Sequence, residues 1–115
     1  MDITVICCDD NREKIIADVT YRINLTADCM LDWKIERFGA AISAKADCNS
    51  HIGMVEDSFE KLLELYPMID ISASYTLTVR EDDSSAQWWE SVNISTEKKS
   101  DGTRYLKKHS GTSWN

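Results

Sequence analysis

The chain has one proline, two histidines, four glycines and no long apolar run, and each shortage excludes something. A membrane-spanning helix needs about 20 consecutive apolar residues, and no stretch comes near that. The opening MDITVICCDD has no basic segment and too short an apolar core for a secretory signal, so the chain reads as cytoplasmic, with no membrane partner. The four cysteines form no CxxC pair: Cys7 and Cys8 are adjacent, and Cys29 and Cys48 stand alone. Structural zinc draws its ligands in closely spaced pairs, so no metal is expected, and the cysteines read as free thiols acting as small buried hydrophobes. There is no GxxxxGK[ST] or GxGxxG loop to cradle a phosphate, and neither His51 nor His109 lies in a metal-binding pattern. No motif carries a reaction. The expectation is therefore a protein that is not an enzyme and has no cofactor.

What is present is acidic. The 115 residues suit one domain, 1–115, large enough to bury roughly two thirds of the unfolded surface. Net charge is −7: residues 1–97 hold 19 acidic against 8 basic side chains, while residues 98–115 carry Lys98, Lys99, Arg104, Lys107 and Lys108 against Asp101 alone. The plain reading is a solvated acidic body with a basic last hairpin folded against it. The sharper reading is an acidic surface that docks on a basic protein. Phosphates would be repelled by the body, which argues against direct binding of nucleic acid.

Hydrophobic periodicity orders the elements. Ile3, Val5 and Cys7 alternate with Thr4, Ile6 and Cys8, apolar on both faces, which suits a central strand covered on both sides or nearly so. Asp10 to Glu13 resembles a capping box that opens a helix over 11–24, with Ile15 or Ile16, Val19 and Ile23 on one face. Leu31, Trp33 and Ile35, then Ala40, Ile42, Ala44 and Ala46, read as two strands that bend near Gly39, which serves equally as a bulge in one long strand. Cys48 to Gly53 is a loop in which Ser50 can cap the second helix. Val55, Phe59, Leu62, Leu63 and Tyr66 recur at helical spacing until Pro67 ends the helix. Period 2 then takes over, with Ile69, Ile71, Ala73, Tyr75, Leu77 and Val79 in phase. Glu81 to Ser85 is a polar turn, Trp88 to Lys98 a strand, Asp101-Gly102 a turn and Thr103 to Lys107 a last strand. The parts are a core over 1–80, an added hairpin over 86–108 and a polar tail over 109–115.

The predicted fold class is α+β: a ferredoxin-like split βαβ (β-α-β-β-α-β) with an added C-terminal β-hairpin, an antiparallel sheet and two helices on one face. The predicted core is Ile3, Val5, Ile16, Val19, Ile35, Ile42, Phe59, Leu62, Leu63, Ile71 and Tyr75. Leu62-Leu63-Glu64-Leu65-Tyr66-Pro67 with the alternating strand through Tyr75, and the Phe38-Gly39 step, resemble the YubB-like ferredoxin-like domain of plasmid and phage proteins over about residues 30–80. That family usually has tryptophan-glycine where this chain has Phe38-Gly39. The resemblance implies a mobile-element origin and brings no catalytic residues.

Trp88-Trp89 is the strongest binding signal. Neighbours in a strand point to opposite faces, so one tryptophan can enter the core while the other points out as an interface anchor; the plainer account has both covered, one by the helices and one by the tail around Trp114. Trp88, Trp89 and Glu90, with the acidic turn Glu81, Asp82 and Asp83, form the candidate binding site. The expected function is a small acidic binding module of mobile-element type that inhibits or adapts a basic, nucleic-acid-binding host protein. Two alternatives stay open. One is self-assembly into a homodimer through an exposed Trp89 and the terminal hairpin. The other is a small-molecule enzyme using Cys48 with His51, or the Asp9-Asp10 pair, although capping explains those carboxylates.

Overall fold

A computed structural model describes residues 1–80 and 87–114. The order is β1 (Asp2–Cys7), α1 (Arg12–Ala27), β2 (Lys34–Phe38), β3 (Ala41–Asp47), α2 (Ile52–Leu65), β4 (Asp70–Arg80), β5 (Gln87–Lys98) and β6 (Arg104–Trp114). The six strands form one sheet in the order β2-β3-β1-β4-β5-β6, with every neighbouring pair antiparallel. The class is therefore α+β, and the terminal hairpin extends the sheet outward from β4.

The helices pack side by side on one face, α1 over β1 and β3 and α2 reaching β6. Alternation in the strands follows from this. Ile3, Val5 and Cys7 point under the helices and are buried, while Thr4 and Ile6 on the other face are only half-buried. So β1 is central but covered on one side. The core joins them to Val19, Ile23, Ile42, Phe59, Leu62, Ile69, Ile71 and Ile94.

Several sequence expectations need correction. No capping box forms: α1 starts from Asn11 with no side-chain cap, Asp9 Oδ1 accepts the Asn11 amide at 2.9 Å, and Glu13 is held by Arg37 at 2.6 and 2.9 Å. The helix runs to Ala27 because Ala27 lies one turn past Ile23 on the buried face. Ser50 does not cap α2; its hydroxyl donates to the Ala27 carbonyl at 2.9 Å, and the cap position is His51. Gly39 is a turn residue, not a bulge: it takes φ of 60° between paired Phe38 and Ala41. Ile35, expected in the core, is 39% exposed, because β2 is the outer strand and neither helix covers it. Trp33 precedes the strand, half-buried, with Nε1 donating to Asn24 Oδ1 at 2.9 Å. Two cysteines, Cys8 and Cys29, are exposed rather than buried. The last strand does not stop at Lys107. Residues 109–114, read as a tail, continue β6 in register with β5.

Candidate functional site

The strands differ in length, and that difference builds the site. β1 has 6 residues and pairs with β4 from Ile6↔Asp70 to Asp2↔Ser74. β4 has 11 residues and continues through Arg80. β5 and β6 accompany it, with Tyr75↔Val92↔Ser110 and Leu77↔Glu90↔Thr112 directly opposite one another. A three-stranded arm therefore projects past the end of β1, along a molecule 55 Å in its longest dimension.

Register assigns the faces. Ala73 and Ile94 oppose each other and are both buried under the helices, so Tyr75, Leu77, Val92, Glu90 and Trp88 lie on that same side further out. Burial fades along this row: Ile71 is 1% exposed and Ala73 3%, while Tyr75 is half-buried and Leu77 is 45% exposed. The α2 helix no longer covers the sheet by then. Trp88 is half-buried, and its Nε1 donates to Glu90 Oε1 at 3.4 Å, two residues along the same face. Trp89 falls on the open face, opposite Thr78, and is half-buried as well. The expected division onto opposite faces is present. Neither tryptophan joins the core and neither is fully exposed, so the pair falls between the two accounts the sequence left open. The acidic turn Glu81, Asp82 and Asp83 lies outside the described residues.

The root of the arm is tied to α2. Tyr75 donates its hydroxyl to Glu56 Oε2 at 2.7 Å, and Lys108 Nζ lies 2.6 Å from Glu56 Oε1. Burial by itself would raise the Glu56 carboxyl, but the bonds from Lys108 and Tyr75 outweigh it and hold it below the ordinary range. Burial and then the Glu56 bond push Tyr75 up, and the Glu56 bond raises Lys108. At the other end of the same strands, Asp70 Oδ1 accepts from Arg104 Nε at 2.9 Å and Thr96 Oγ1 at 3.1 Å. These two clamps fix the hairpin on the body. Beside the first lies a groove of about 370 Å³, walled by Glu56, Asp57 and Glu60 of α2 and floored by Ile94 and Leu106.

The remaining candidates have hydrogen-bond partners of their own. Cys48 is fully buried and its thiol donates to the Ser50 carbonyl at 3.1 Å, while His51 Nδ1 donates to the Ala27 carbonyl at 3.1 Å. Each is engaged with a different backbone oxygen, and no hydrogen bond joins them. Asp9 makes a turn and Asp10 is exposed. Burial pushes the Cys7 thiol up, which keeps it protonated. Among the described residues no group of three or more His, Cys, Asp or Glu is placed to hold a metal ion, and no helix is long and apolar enough to cross a membrane. Sequence reasoning missed Leu77 as a surface residue and Glu56 as a clamp. The available signal was length, since the alternation from Ile69 to Val79 outruns anything the first strand can pair with.

No family model, curated protein or solved structure matches the chain.

Proposed function

We propose that the chain is a ferredoxin-like split βαβ domain, of the mobile-element type its YubB-like resemblance implies, that works by protein–protein contact through the projecting arm. The strand order β2-β3-β1-β4 with two helices on one face supports the fold. One observation carries the function: on the helix side of the arm Leu77 is 45% exposed, beside half-buried Trp88 and Glu90. Aromatic side chains with an apolar neighbour are the usual anchors of a contact. The partner is a basic protein, one that binds nucleic acid being the natural class, because 19 acidic against 8 basic side chains over residues 1–97 draw a cationic surface and repel phosphates.

The test uses the purified chain as bait for host lysate, with Leu77→Ser and Trp88→Ala on the arm and Tyr21→Ser on α1 as a control. A basic protein retained at low salt, released at high salt, lost with both arm variants and kept by the control supports the reading. Equal retention by all variants, or none by the wild type, contradicts it.

A further inference from the structure

The terminal hairpin leaves a trough between its last strand and α2. The groove walled by Glu56, Asp57 and Glu60 continues into a second hollow of about 350 Å³, bounded by Leu63, Glu64 and Arg104, and the two share Glu60 and Leu106. The floor is apolar, from Ile94, Leu63 and Leu106. The charge is lopsided. On the strand side both cations are already engaged: Lys108 Nζ lies 2.6 Å from Glu56 Oε1, and Arg104 Nε lies 2.9 Å from Asp70 Oδ1. On the helix side Asp57, Glu60 and Glu64 are exposed, and among the described residues none of these three side chains has a hydrogen bond or an ion pair. Lys61, the only cation of α2, lines neither hollow. The helix dipole adds to the imbalance. α2 has no acidic side chain in its first turn and no basic one in its last, where Glu64 sits. A helix C-terminus carries partial negative charge, so Glu64 stands where a cation would be favoured. An uncompensated negative strip therefore runs beside an apolar floor.

We propose that this trough binds an extended segment of a partner protein that carries lysine or arginine at alternate positions. Charge complementarity selects the occupant, and two further features fix its form. The first is spacing. Asp57, Glu60 and Glu64 are three and four residues apart on one helix, so neighbouring Cβ atoms are about 5–6 Å apart. In an extended chain alternate side chains point the same way, about 6.7 Å apart, which matches this row closely. The second is length. The strip covers two helical turns, about 10 Å. A helix that short does not hold itself together in water, so the segment enters extended. Each aliphatic stem lies along Leu106 and the floor, while its charged head reaches the carboxylate wall. None of Leu77, Trp88 and Glu90 lines the trough, so this contact is separate from the arm.

The test titrates two acetylated, amidated peptides of equal charge, Lys-Ser-Lys-Ser-Lys-Ser and Lys-Lys-Lys-Ser-Ser-Ser, into the isotope-labelled chain at low salt, with backbone amide shifts read by NMR. Three variants accompany the wild type. Glu60→Gln with Glu64→Gln removes two charges from the wall. Asp32→Asn with Glu36→Gln removes two exposed charges at the far edge of the sheet. Leu77→Ser reports on the arm alone. All of these positions are exposed, and circular dichroism checks that the fold is kept. The expected result is shifts centred on residues 56–64 and 104–108 and at least about threefold tighter binding of the alternating peptide. Affinity should fall at least about fivefold in the wall variant, since two exposed ion pairs are lost. It should be unchanged in the far-edge variant and in Leu77→Ser. Absence of shifts in the trough, equal affinity for the two peptides, or equal loss from the two charge-removing variants overturns the proposal. So do trough shifts that appear when the protein alone is concentrated, which would put a second copy there.

Discussion

The two halves of the sheet share one hydrogen-bonded ladder and differ in what covers them. β1, β2 and β3 have 6, 5 and 7 residues; β4, β5 and β6 have 11, 12 and 11. In the first half the helices reach the ends of the central strands, and the inward residues of β1 and β3 are buried. In the second half the strands outrun the helices, and residues in perfect phase with the core come out into solvent. Ile71 and Leu77 lie on one face of one strand at 1% and 45% exposure. Alternation tells which side a residue takes; the extent of the opposing layer decides whether that side is buried.

Substitutions measured by urea denaturation sharpen this contrast. The largest effects belong to the covered half. Phe59→Ala is expected to cost about 3–5 kcal/mol and Ile71→Ala about 2–5 kcal/mol, because both leave cavities in a closed core. Next comes the clamp between the halves. Tyr75→Phe removes one hydrogen bond to Glu56 and should cost about 1 kcal/mol. Glu56→Gln should destabilise at neutral pH in a way that depends on acid. The folded carboxyl sits below its ordinary value of 4.5, so its contribution is complete above that pH and is lost as pH falls through the folded value. The difference between wild type and Glu56→Gln therefore closes in acid. A gap that stays constant with pH would show that the clamp is not ionic. The smallest effects belong to uncovered positions: Leu77→Ala and Ile35→Ala should each stay under about 1 kcal/mol despite being in phase with buried residues. A large loss at Leu77 would mean that the arm is packed against something and would remove it as a contact surface.

Much of the fold was legible because its signals are local. The change of period around Pro67 marks the end of α2 and the start of β4 to within a residue or two, and Asp101-Gly102 marks the last turn, where Gly102 has φ of 89° and Asp101 Oδ1 accepts the Thr103 amide at 3.0 Å. What failed to show depends on partners distant in the chain. Glu13 has the right spacing for a capping box, but Arg37, 24 residues away, takes both of its oxygens. Ile35 has the right phase for a core residue but sits in an outer strand. The segment His109 to Trp114 is polar and carries Gly111, yet it is a strand because β5 offers it a full-length edge. The site was half legible. Trp88-Trp89 marked the arm, whereas the exposure of Leu77 and the unpaired side of β4 follow from strand lengths that only the pairing reveals.

The central claim is that β4 beyond Ser74 is paired on one side and, among the described residues, unpaired on the other. Amide hydrogen exchange resolved by residue tests it most directly, in dilute solution without a partner. Ile71 directs its N–H toward β5, so the odd residues of β4 face β5 and the even ones face away, and slow exchange at Tyr75 and Leu77 beside fast exchange at Thr76 and Thr78 is the predicted result. Equal protection of all four amides in dilute solution would contradict the claim, because it would place an internal partner on the edge that this account leaves open.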